Sequence, residues 1–205
     1  MKGQDLLLLL KLVSLARAEA RPLAARDDRA GLAGRVAEVP PAYGDGPDPY
    51  SVRALEESTG ISKSEVSGAL RRCTEVGLLK ASRNTGKPQV NTRDLHLFLV
   101  HGVRFVFPAR PGPIVRGIPT AFAAPVLADR LMSAGDYIHV WEDAFGTDMG
   151  QRVEPLFRTA PQAAKRDSDL YAMLALVDSI RLGQAREAGL AGELLKKYLR
   201  GEVIE

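Results

Sequence analysis

The sequence has a single cysteine, Cys73, among its 205 residues, and the leucine run at 6–10 is only five residues long. One cysteine cannot form an intrachain disulfide, so disulfide-stapled secreted folds are excluded and a reducing, cytoplasmic compartment is expected. Lys11 ends the leucine run, which is too short to cross a membrane, and no small-residue cleavage site follows at the distance of a signal peptide. We therefore expect a cytoplasmic protein that has no membrane partner.

The chain also lacks the residue patterns of common catalytic and metal sites. His96 and His101 are five residues apart and lie on different faces of a helix, and His139 belongs to another predicted element. These histidines therefore offer no pair of zinc ligands. The sequence contains no Gly-rich phosphate loop and no Ser/His/Asp order typical of hydrolases. We expect no metal, no other cofactor and no enzymatic activity.

What the sequence does contain is a globular composition, 45% hydrophobic and 26% charged, long enough for one large domain or two small ones. Its positive charge is concentrated in one stretch. Residues 50–93 carry eight Lys and Arg against four acids, a net charge of +4, whereas the whole chain is +3 and the remainder is therefore −1. This concentration is typical of a nucleic-acid-binding surface.

Two consecutive helices are predicted inside this basic stretch. Residues 51–58 have apolar side chains three apart, and Gly60 predicts a turn after them. Ser62 and Glu65 have the spacing of a capping box, which predicts the start of the second helix. Apolar residues at helical spacing predict its buried stripe, which consists of Val66, Ala69, Leu70, Cys73 and Val76.

The opposite side of this second helix, residues 62–76, is small, polar and basic. At about 100° per residue, four side chains face away from the buried stripe and two basic ones flank it. A face of this kind fits the major groove of DNA. The predicted groove residues are Ser64, Ser67, Gly68 and Arg71, with Lys63 and Arg72 at the edges.

A β-hairpin is predicted directly after the second helix. Gly77 ends the helix, and residues 78–92 have the pattern of two short strands joined by a turn. The turn projects Arg83 and Lys87 outward. We expect both cations to bind phosphates of the DNA backbone, which adds affinity without sequence choice.

This order of elements resembles the winged helix-turn-helix transcriptional regulators, notably the MarR-like group. The resemblance rests on the capped second helix, the Glu-Val-Gly-Leu-Leu sequence at 75–79 and the basic hairpin, about a fifth of the chain. It implies a DNA-binding domain over residues 1–102, with an inserted loop at 21–49. It also implies a cytoplasmic bacterial regulator that binds double-stranded operator DNA as a homodimer.

Residues 4–20 predict the first helix of this domain, because they lack Gly and Pro and place Asp5 in the first turn, where the helix dipole favours an acid. Its leucines cover more than one face, so we expect the helix to be enclosed by a second subunit or by the C-terminal region. Prolines in the following segment predict an exposed loop at 40–49, after a short helix at 27–36. This loop contacts DNA or a partner, or it is simply mobile.

Residues 103–205 predict a mixed segment followed by two helices. Strands are expected at 103–107 and 137–141, paired with each other. The prolines at 108–125 predict an ordered loop without regular structure. A short helix, a turn and an irregular stretch are expected next, at 126–132, 142–151 and 155–161 respectively.

The two C-terminal helices are predicted to form a hairpin with facing apolar sides. Asp167 or Ser168 caps the first helix and Gly183 ends it, and residues 184–199 form the second. The helix at 4–20 and the stripe of the last helix together predict the homodimer interface. The stripe, which consists of Leu190, Leu194 and Tyr198, is alternatively core of a compact monomer.

The predicted fold class is therefore α+β, mainly α, with a winged helix-turn-helix domain and a C-terminal helical extension. The predicted function is a sequence-specific, DNA-binding transcriptional regulator, such as a repressor. One alternative is an antitoxin-like or defence-associated autoregulatory subunit whose C-terminal half binds a partner protein. Another is a repressor gated by a small molecule bound between residues 108–125 and the last two helices. The winged unit could also serve only as a protein–protein platform.

Overall fold

The computed structural model describes residues 1–21, 48–127, 130 and 137–202. Within those residues the fold is α+β and mainly helical, as predicted. The helices are α1 (Gly3–Ala20), α2 (Val52–Thr59), α3 (Lys63–Glu75), α4 (Thr92–His101), α5 (Val103–Val106), α6 (Ala160–Lys165), α7 (Ser168–Leu182) and α8 (Ala185–Leu199). The strands are β1 (Leu79–Ala81), β2 (Pro88–Val90), β3 (Ile114–Thr120), β4 (His139–Glu142) and β5 (Asp148–Arg152). The predictions for 27–36, 40–49 and 126–132 fall wholly or largely outside the described residues.

Helix α1 lies in the core, and the prediction that it is enclosed is confirmed. Its leucines at 6–10 are at most 1% exposed, with α3 and α7 packed against it. Lys11 and Ser14 of α1 donate to the carboxylate of Asp167, at 2.8 and 2.6 Å. Burial opposes ionisation of Asp167, but the charge of Lys11 and the hydrogen bonds from Lys11, Ser14 and the Leu170 amide together hold its pKa below the ordinary value. The C-terminal region of the same chain therefore covers the outer side of α1.

No helix among the described residues is long and apolar enough to cross a membrane.

Helix α2 and the turn after it form as the sequence predicts. The Ser51 hydroxyl accepts from the Ala54 amide at 3.2 Å and so caps the start of the helix. Gly60 ends the helix with a φ of +69°, a left-handed conformation that glycine adopts without strain. Ile61 then returns to the core, where it is 1% exposed.

Helix α3 ends in a Schellman motif that leads into the hairpin. The Leu78 amide donates to the Cys73 carbonyl at 2.9 Å, and the Gly77 amide donates to the Thr74 carbonyl at 3.0 Å. Gly77 has the positive φ, +77°, that this motif requires. Strands β1 and β2 then pair antiparallel, so the predicted hairpin is confirmed with shorter strands than expected.

The predicted strand at 103–107 is wrong, because this segment forms the short helix α5. The Gly102 amide donates to the Phe98 carbonyl and the Val106 amide donates to the Gly102 carbonyl, so helical hydrogen bonding continues past α4. Val103 is completely buried, whereas Phe105 is 78% exposed. Alternating, β-rich sequence is a weak preference that packing overrides here. Asn91 caps the start of α4, because its side-chain oxygen accepts from the Asp94 amide at 3.3 Å.

The prediction that 108–125 has no regular structure is wrong in part, because β3 runs through it. Up to Gly117 this strand pairs with β5, and from Gly117 onward it pairs with β4. Pro119 fits in β3 because its carbonyl accepts from the Tyr171 hydroxyl at 2.6 Å. The N–H and C=O of one strand residue point the same way. The N–H that proline lacks would therefore point away from β4.

Strands β3, β4 and β5 close into a small barrel. The prediction that residues 137–141 pair with residues 103–107 is therefore wrong, since β4 pairs antiparallel with β3 and parallel with β5. The segment at 142–151 is more than a turn, because β5 occupies its second half. Irregular chain follows as predicted, although α6 already begins inside the segment at 155–161.

A buried polar cluster fixes the barrel to α7. Asp178 of α7 accepts from the Thr120 hydroxyl at 2.9 Å and from the Trp141 ring nitrogen at 2.7 Å. Its other oxygen accepts from Arg181 at 2.6 Å. Burial raises the pKa of Asp178, although all three donors oppose the shift. Each donor comes from a different place, β3, β4 and α7 itself, so the cluster sets how these elements meet.

Helices α7 and α8 form the predicted hairpin, and Asp167 caps α7 by accepting from the Leu170 amide at 3.0 Å. The apolar stripe of α8 is largely buried within the single chain, because α8 packs on α4 and α7. Leu194 is 3% and Tyr198 8% exposed, and Leu190 is half-buried. Both surfaces predicted to hold a dimer, α1 and this stripe, are therefore core. The homodimer stays a prediction, but its interface must be sought elsewhere.

Candidate nucleic-acid interface

The start of α3 is set by tertiary contacts rather than by the predicted capping box. Ser62 is the N-cap residue, but its hydroxyl makes no capping hydrogen bond. The Lys63 amide instead donates to the carboxylate of Glu56 on α2, at 3.2 Å. Glu65, the other half of the predicted box, accepts from the side-chain amide of Gln4 on α1. The capping-box prediction is wrong because these contacts engage the two acids that lie nearest the helix start.

The predicted groove residues lie together on the solvent side of α3. The exposed members are Lys63, Ser64, Ser67 and Arg71, while Gly68 and Arg72 are half-buried. Val66, Ala69 and Cys73 line the buried side, each at most 1% exposed. Leu70 of the predicted stripe is partly buried and packs against the core. The stripe prediction is wrong at Val76, which is 59% exposed. The helix ends at Glu75, so Val76 no longer follows the helical period.

Lys63 and Arg71 bring positive charge to this face. Lys63 Nζ lies 3.7 Å from Glu56, and Arg71 Nε lies 3.7 Å from Glu75, one turn further along α3. The side chains of both cations are more than 60% exposed. Ion pairs between groups so accessible to water contribute little. Both cations are therefore available to an anionic ligand.

Arg72 is directed away from the groove face, towards α1. Its Nε and Nη2 donate to the two carboxylate oxygens of Asp5, at 3.1 and 2.6 Å. The hydrogen bond with Asp5 is the main cause of the raised pKa of Arg72. A Cβ on Gly68 would lie 3.1 Å from Nη1 of Arg72. Gly68 therefore leaves room for Arg72, besides lying beside the groove face.

The two cations predicted for the hairpin turn have different environments. Arg83 is exposed, and its side chain makes no hydrogen bond or ion pair with the described part of the chain. Lys87 donates to Glu19 at the end of α1, at 2.7 Å, and its Nζ lies 4.9 Å from the centroid of the Tyr50 ring. The hydrogen bond with Glu19 is the main cause of the raised pKa of Lys87. Of these two cations, Arg83 alone has no partner in the described part of the chain that a phosphate would have to displace.

Three residues that hold this surface in place are not predicted from the sequence to do so. They are Asp5 and Glu19 on α1 and Tyr50 before α2. A signal existed for Asp5, because an acid inside a leucine-rich helix needs a partner once it is buried. The helix dipole was a sufficient local explanation for it. No local signal connects Glu19 or Tyr50 with the hairpin.

Cys73 behaves as the core residue that the sequence predicts. It is 1% exposed, and burial raises the pKa of its thiol to about 12, with a smaller contribution from the nearby Asp5 carboxylate. The thiol is therefore uncharged at neutral pH, which makes it a poor nucleophile and a poor metal ligand. Within the described ranges, no three His, Cys, Asp or Glu side chains come together as metal ligands would.

A small cavity lies where the effector hypothesis places a ligand, between the segment at 108–125 and the last two helices. Its volume is about 40 Å³, and its lining includes Phe122, His139, Ser179 and Glu187. Sites for drug-sized ligands are about 300–1,000 Å³. This cavity holds about one water molecule, so an effector of ordinary size does not fit there.

The exposed side of α3 presents hydroxyl groups, a guanidinium fork and an ammonium group, and the hairpin turn adds a second guanidinium. These groups are hydrogen-bond donors that suit phosphate oxygens and the acceptor atoms of base edges. No large apolar side chain interrupts the face formed by Ser64, Ser67 and Arg71. Searches among family models, curated proteins and solved structures find no match to this chain.

Proposed function

We propose that this protein is a sequence-specific DNA-binding transcriptional regulator that acts as a homodimer. In this proposal α2, α3 and the β1–β2 hairpin form a winged helix-turn-helix unit. Helix α3 enters the major groove and the hairpin follows the phosphate backbone. The observation that carries the proposal is the exposed face of α3, on which Ser64, Ser67 and Arg71 are all accessible to solvent.

The groups on α3 and the hairpin divide into two roles. Arg71 reads bases, because its guanidinium fork matches the O6 and N7 acceptors of guanine. Ser64 and Ser67 can donate to or accept from neighbouring base edges. Lys63 and Arg83 bind phosphates, which releases counterions and supplies affinity that falls with salt. Sequence choice is thus assigned to α3, and most of the salt-dependent affinity to its flanks.

Homodimerisation is part of the proposal because one helix in one groove reads only a few base pairs. Two copies related by a twofold axis read two half-sites about one helical turn apart. Symmetric half-sites in the selected DNA would support this arrangement. Because α1 and most of the α8 stripe are buried within one chain, the interface is expected on another surface.

The proposal is tested by selecting DNA from a random pool with the purified protein and measuring its affinity for the enriched site. Arg71→Ala is expected to weaken binding by about 1–3 kcal/mol and to relax the preference at one base position. The matched control is Arg53→Ala on α2. Arg53 has the same exposure as Arg71, 79% against 77%, and the same pairing with an acid one turn along its helix.

The control removes the same charge from the same kind of helix surface, so it reports the general electrostatic effect. Arg53→Ala is expected to lower affinity for every sequence equally and to leave the base preference intact. If Arg53→Ala and Arg71→Ala change the base preference equally, Arg71 does not contact bases as proposed. Failure to enrich any sequence would end the proposal of sequence-specific binding.

A further inference from the structure

Two side chains of α3 are held by the first turn of α1. The Arg72 guanidinium donates to both carboxylate oxygens of Asp5. Glu65 accepts from the side-chain amide of Gln4. We call Gln4, Asp5, Glu65 and Arg72 the α1–α3 clamp.

The Asp5–Arg72 half of the clamp is buried and directional. Asp5 is completely buried, whereas the Arg72 side chain is 28% exposed. The Asp5 carboxylate also accepts from the backbone amide of Lys2 at 2.8 Å. A guanidinium fork on a carboxylate fixes orientation as well as distance. Moving Arg72 to a phosphate would leave the buried carboxylate without its counter-charge, which is strongly unfavourable.

The clamp controls the rotation of α3 about its own axis. Glu65 and Arg72 are seven residues apart, about two turns along one flank of the helix. The buried stripe of α3 contributes apolar contacts, which stabilise packing without imposing a direction. A rotation of about 20° would move atoms at the helix surface, about 5–6 Å from the axis, by roughly 2 Å. That displacement is enough to break a hydrogen bond to a base edge.

We propose that the α1–α3 clamp positions α3 for base reading and that Arg72 is a positioning residue rather than a contact at the edge of the groove. The inference rests on the proposed DNA-binding function and adds a determinant of sequence discrimination that does not touch DNA. That determinant is Asp5. Its effect reaches the bases only through Arg72 and the orientation of α3.

The decisive variant is Asp5→Asn, because electrostatics and positioning predict opposite signs. Removing a negative charge favours binding to any DNA through the general phosphate attraction. Positioning predicts instead that affinity for the selected site falls at least tenfold, while affinity for random DNA is unchanged or higher. Glu65→Gln removes the same charge from a side chain that is 44% exposed, so it retains the fold if Asp5→Asn does not. Glu65→Gln is expected to lose sequence discrimination as Asp5→Asn does, but only by a few-fold.

The variants of Arg72 separate positioning from direct contact. Arg72→Gln is expected to lose discrimination as Asp5→Asn does, with the salt dependence of the parent, and the double variant is expected to fall no further than the worse single variant. Arg72→Lys keeps the positive charge but not the guanidinium fork, so it is expected to restore little of the sequence discrimination that Arg72→Gln loses. A salt slope lower by about one in Arg72→Gln, with full discrimination in Asp5→Asn, would show that Arg72 binds phosphate and overturn the proposal.

Destabilisation is separated from positioning by Asp167→Asn. Asp167 is also a poorly exposed acid bonded to α1, through Lys11 and Ser14, but it caps α7 rather than holding α3. This control is expected to lower the midpoint of thermal unfolding and to keep the parental discrimination wherever it is folded. If Asp167→Asn loses discrimination to the same extent as Asp5→Asn, positioning by the clamp is wrong.

The orientation of α3 has a readout that does not involve DNA. Hydrogen exchange of the α3 amides is expected to be faster in Asp5→Asn than in the parent protein, with α8 unchanged. Unchanged exchange in α3 would overturn the clamp even if the parent protein binds DNA. A parent protein that enriches no sequence would overturn the proposed function, and with it the role of the clamp in reading bases.

Discussion

Arg83 and Lys87 lie in the same turn, yet their surroundings assign them different roles. Arg83 is exposed without a partner in the described chain, whereas Lys87 is bonded to Glu19 and placed over the ring of Tyr50. A cation that is already paired releases its partner before it binds a phosphate, which reduces its net contribution to DNA affinity. No described residue pairs with the guanidinium of Arg83, so its binding to a phosphate has no such cost.

Replacing these two cations separately tests this difference. Arg83→Ala is expected to lower the slope of log affinity against log salt by about one, with base preference unchanged. Lys87→Ala is expected to change the slope less and to lower the midpoint of thermal unfolding slightly, because it removes the hydrogen bond between the hairpin and Glu19 of α1. Titrations at four or more salt concentrations measure both slopes. Equal slope changes would show that Lys87 leaves Glu19 when DNA binds.

Cys73 gives a prediction about pH. Its pKa in the folded protein, about 12, lies above the reference value of 9.0. The unfolded chain therefore loses the thiol proton first as pH rises, so the stability that Cys73 contributes is complete below pH 9 and is lost between pH 9 and 12. Denaturant titrations from pH 8 to 11 are expected to show a smaller loss of stability in Cys73→Ala than in the parent. A disulfide reagent should label Cys73 slowly until the protein unfolds.

The hairpin depends on the way α3 ends. Gly77 has a φ of +77° and no other atom within 4 Å of a Cβ built on it, so only backbone strain opposes a substitution there. Gly189 lies inside α8 and is exposed, and a Cβ at this position would likewise meet no other atom within 4 Å. The same substitution therefore meets open space at both sites, and the backbone conformation alone distinguishes them.

Glycine-to-alanine exchanges at these two positions are expected to have opposite effects. Gly77→Ala should destabilise the protein by about 1 kcal/mol, because alanine is strained in the left-handed region. Gly189→Ala should stabilise it by about 0.5–1 kcal/mol, because alanine loses less conformational freedom in a helix. Urea unfolding of both variants measures the difference. A destabilised Gly189→Ala would show that the surface of α8 contacts something near that position.

The bounds of α1, α7 and α8 are predicted from the sequence to within one or two residues, because cap residues and a following proline or glycine mark where helices begin and end. The barrel is not, because its strands are defined by partners distant in sequence and β3 changes partner at Gly117. The exposed face of α3 follows from helical period alone. The partners of Arg72 and Lys87 cannot be predicted from the helical period, because Asp5 and Glu19 lie 67 and 68 residues away along the chain.

Most of the buried apolar residues of both predicted domains, 1–102 and 103–205, belong to one cluster. Helix α1 packs against α3 and α7, and α8 packs against α4 and α7. The division at residue 102 stays a prediction, but the chain on each side of it supplies core to the other. Truncation after Gly183 is therefore expected to expose the core instead of converting a dimer into a folded monomer.

Leu194→Ala tests whether the stripe of α8 is core or interface. Leu194 is 3% exposed in the single chain, so its truncation is expected to cost about 2–5 kcal/mol of stability. Sedimentation is expected to be the same as for the parent protein wherever the variant is folded. The control is Leu97→Ala, at a leucine that is 47% exposed and should cost far less. A shift of Leu194→Ala towards smaller species would return the stripe to the dimer interface.

The burial of α1 between α3 and α7 has a consequence for synthesis on the ribosome. Ser14 is translated 153 residues before its partner Asp167. At about 5–20 residues per second, that interval is roughly 8–30 s, during which the leucines at 6–10 have no α7 to cover them. An apolar helix exposed for that long is a substrate for chaperones that bind nascent chains. Yield of the protein should therefore depend on chaperone supply and on translation rate more than its final stability suggests.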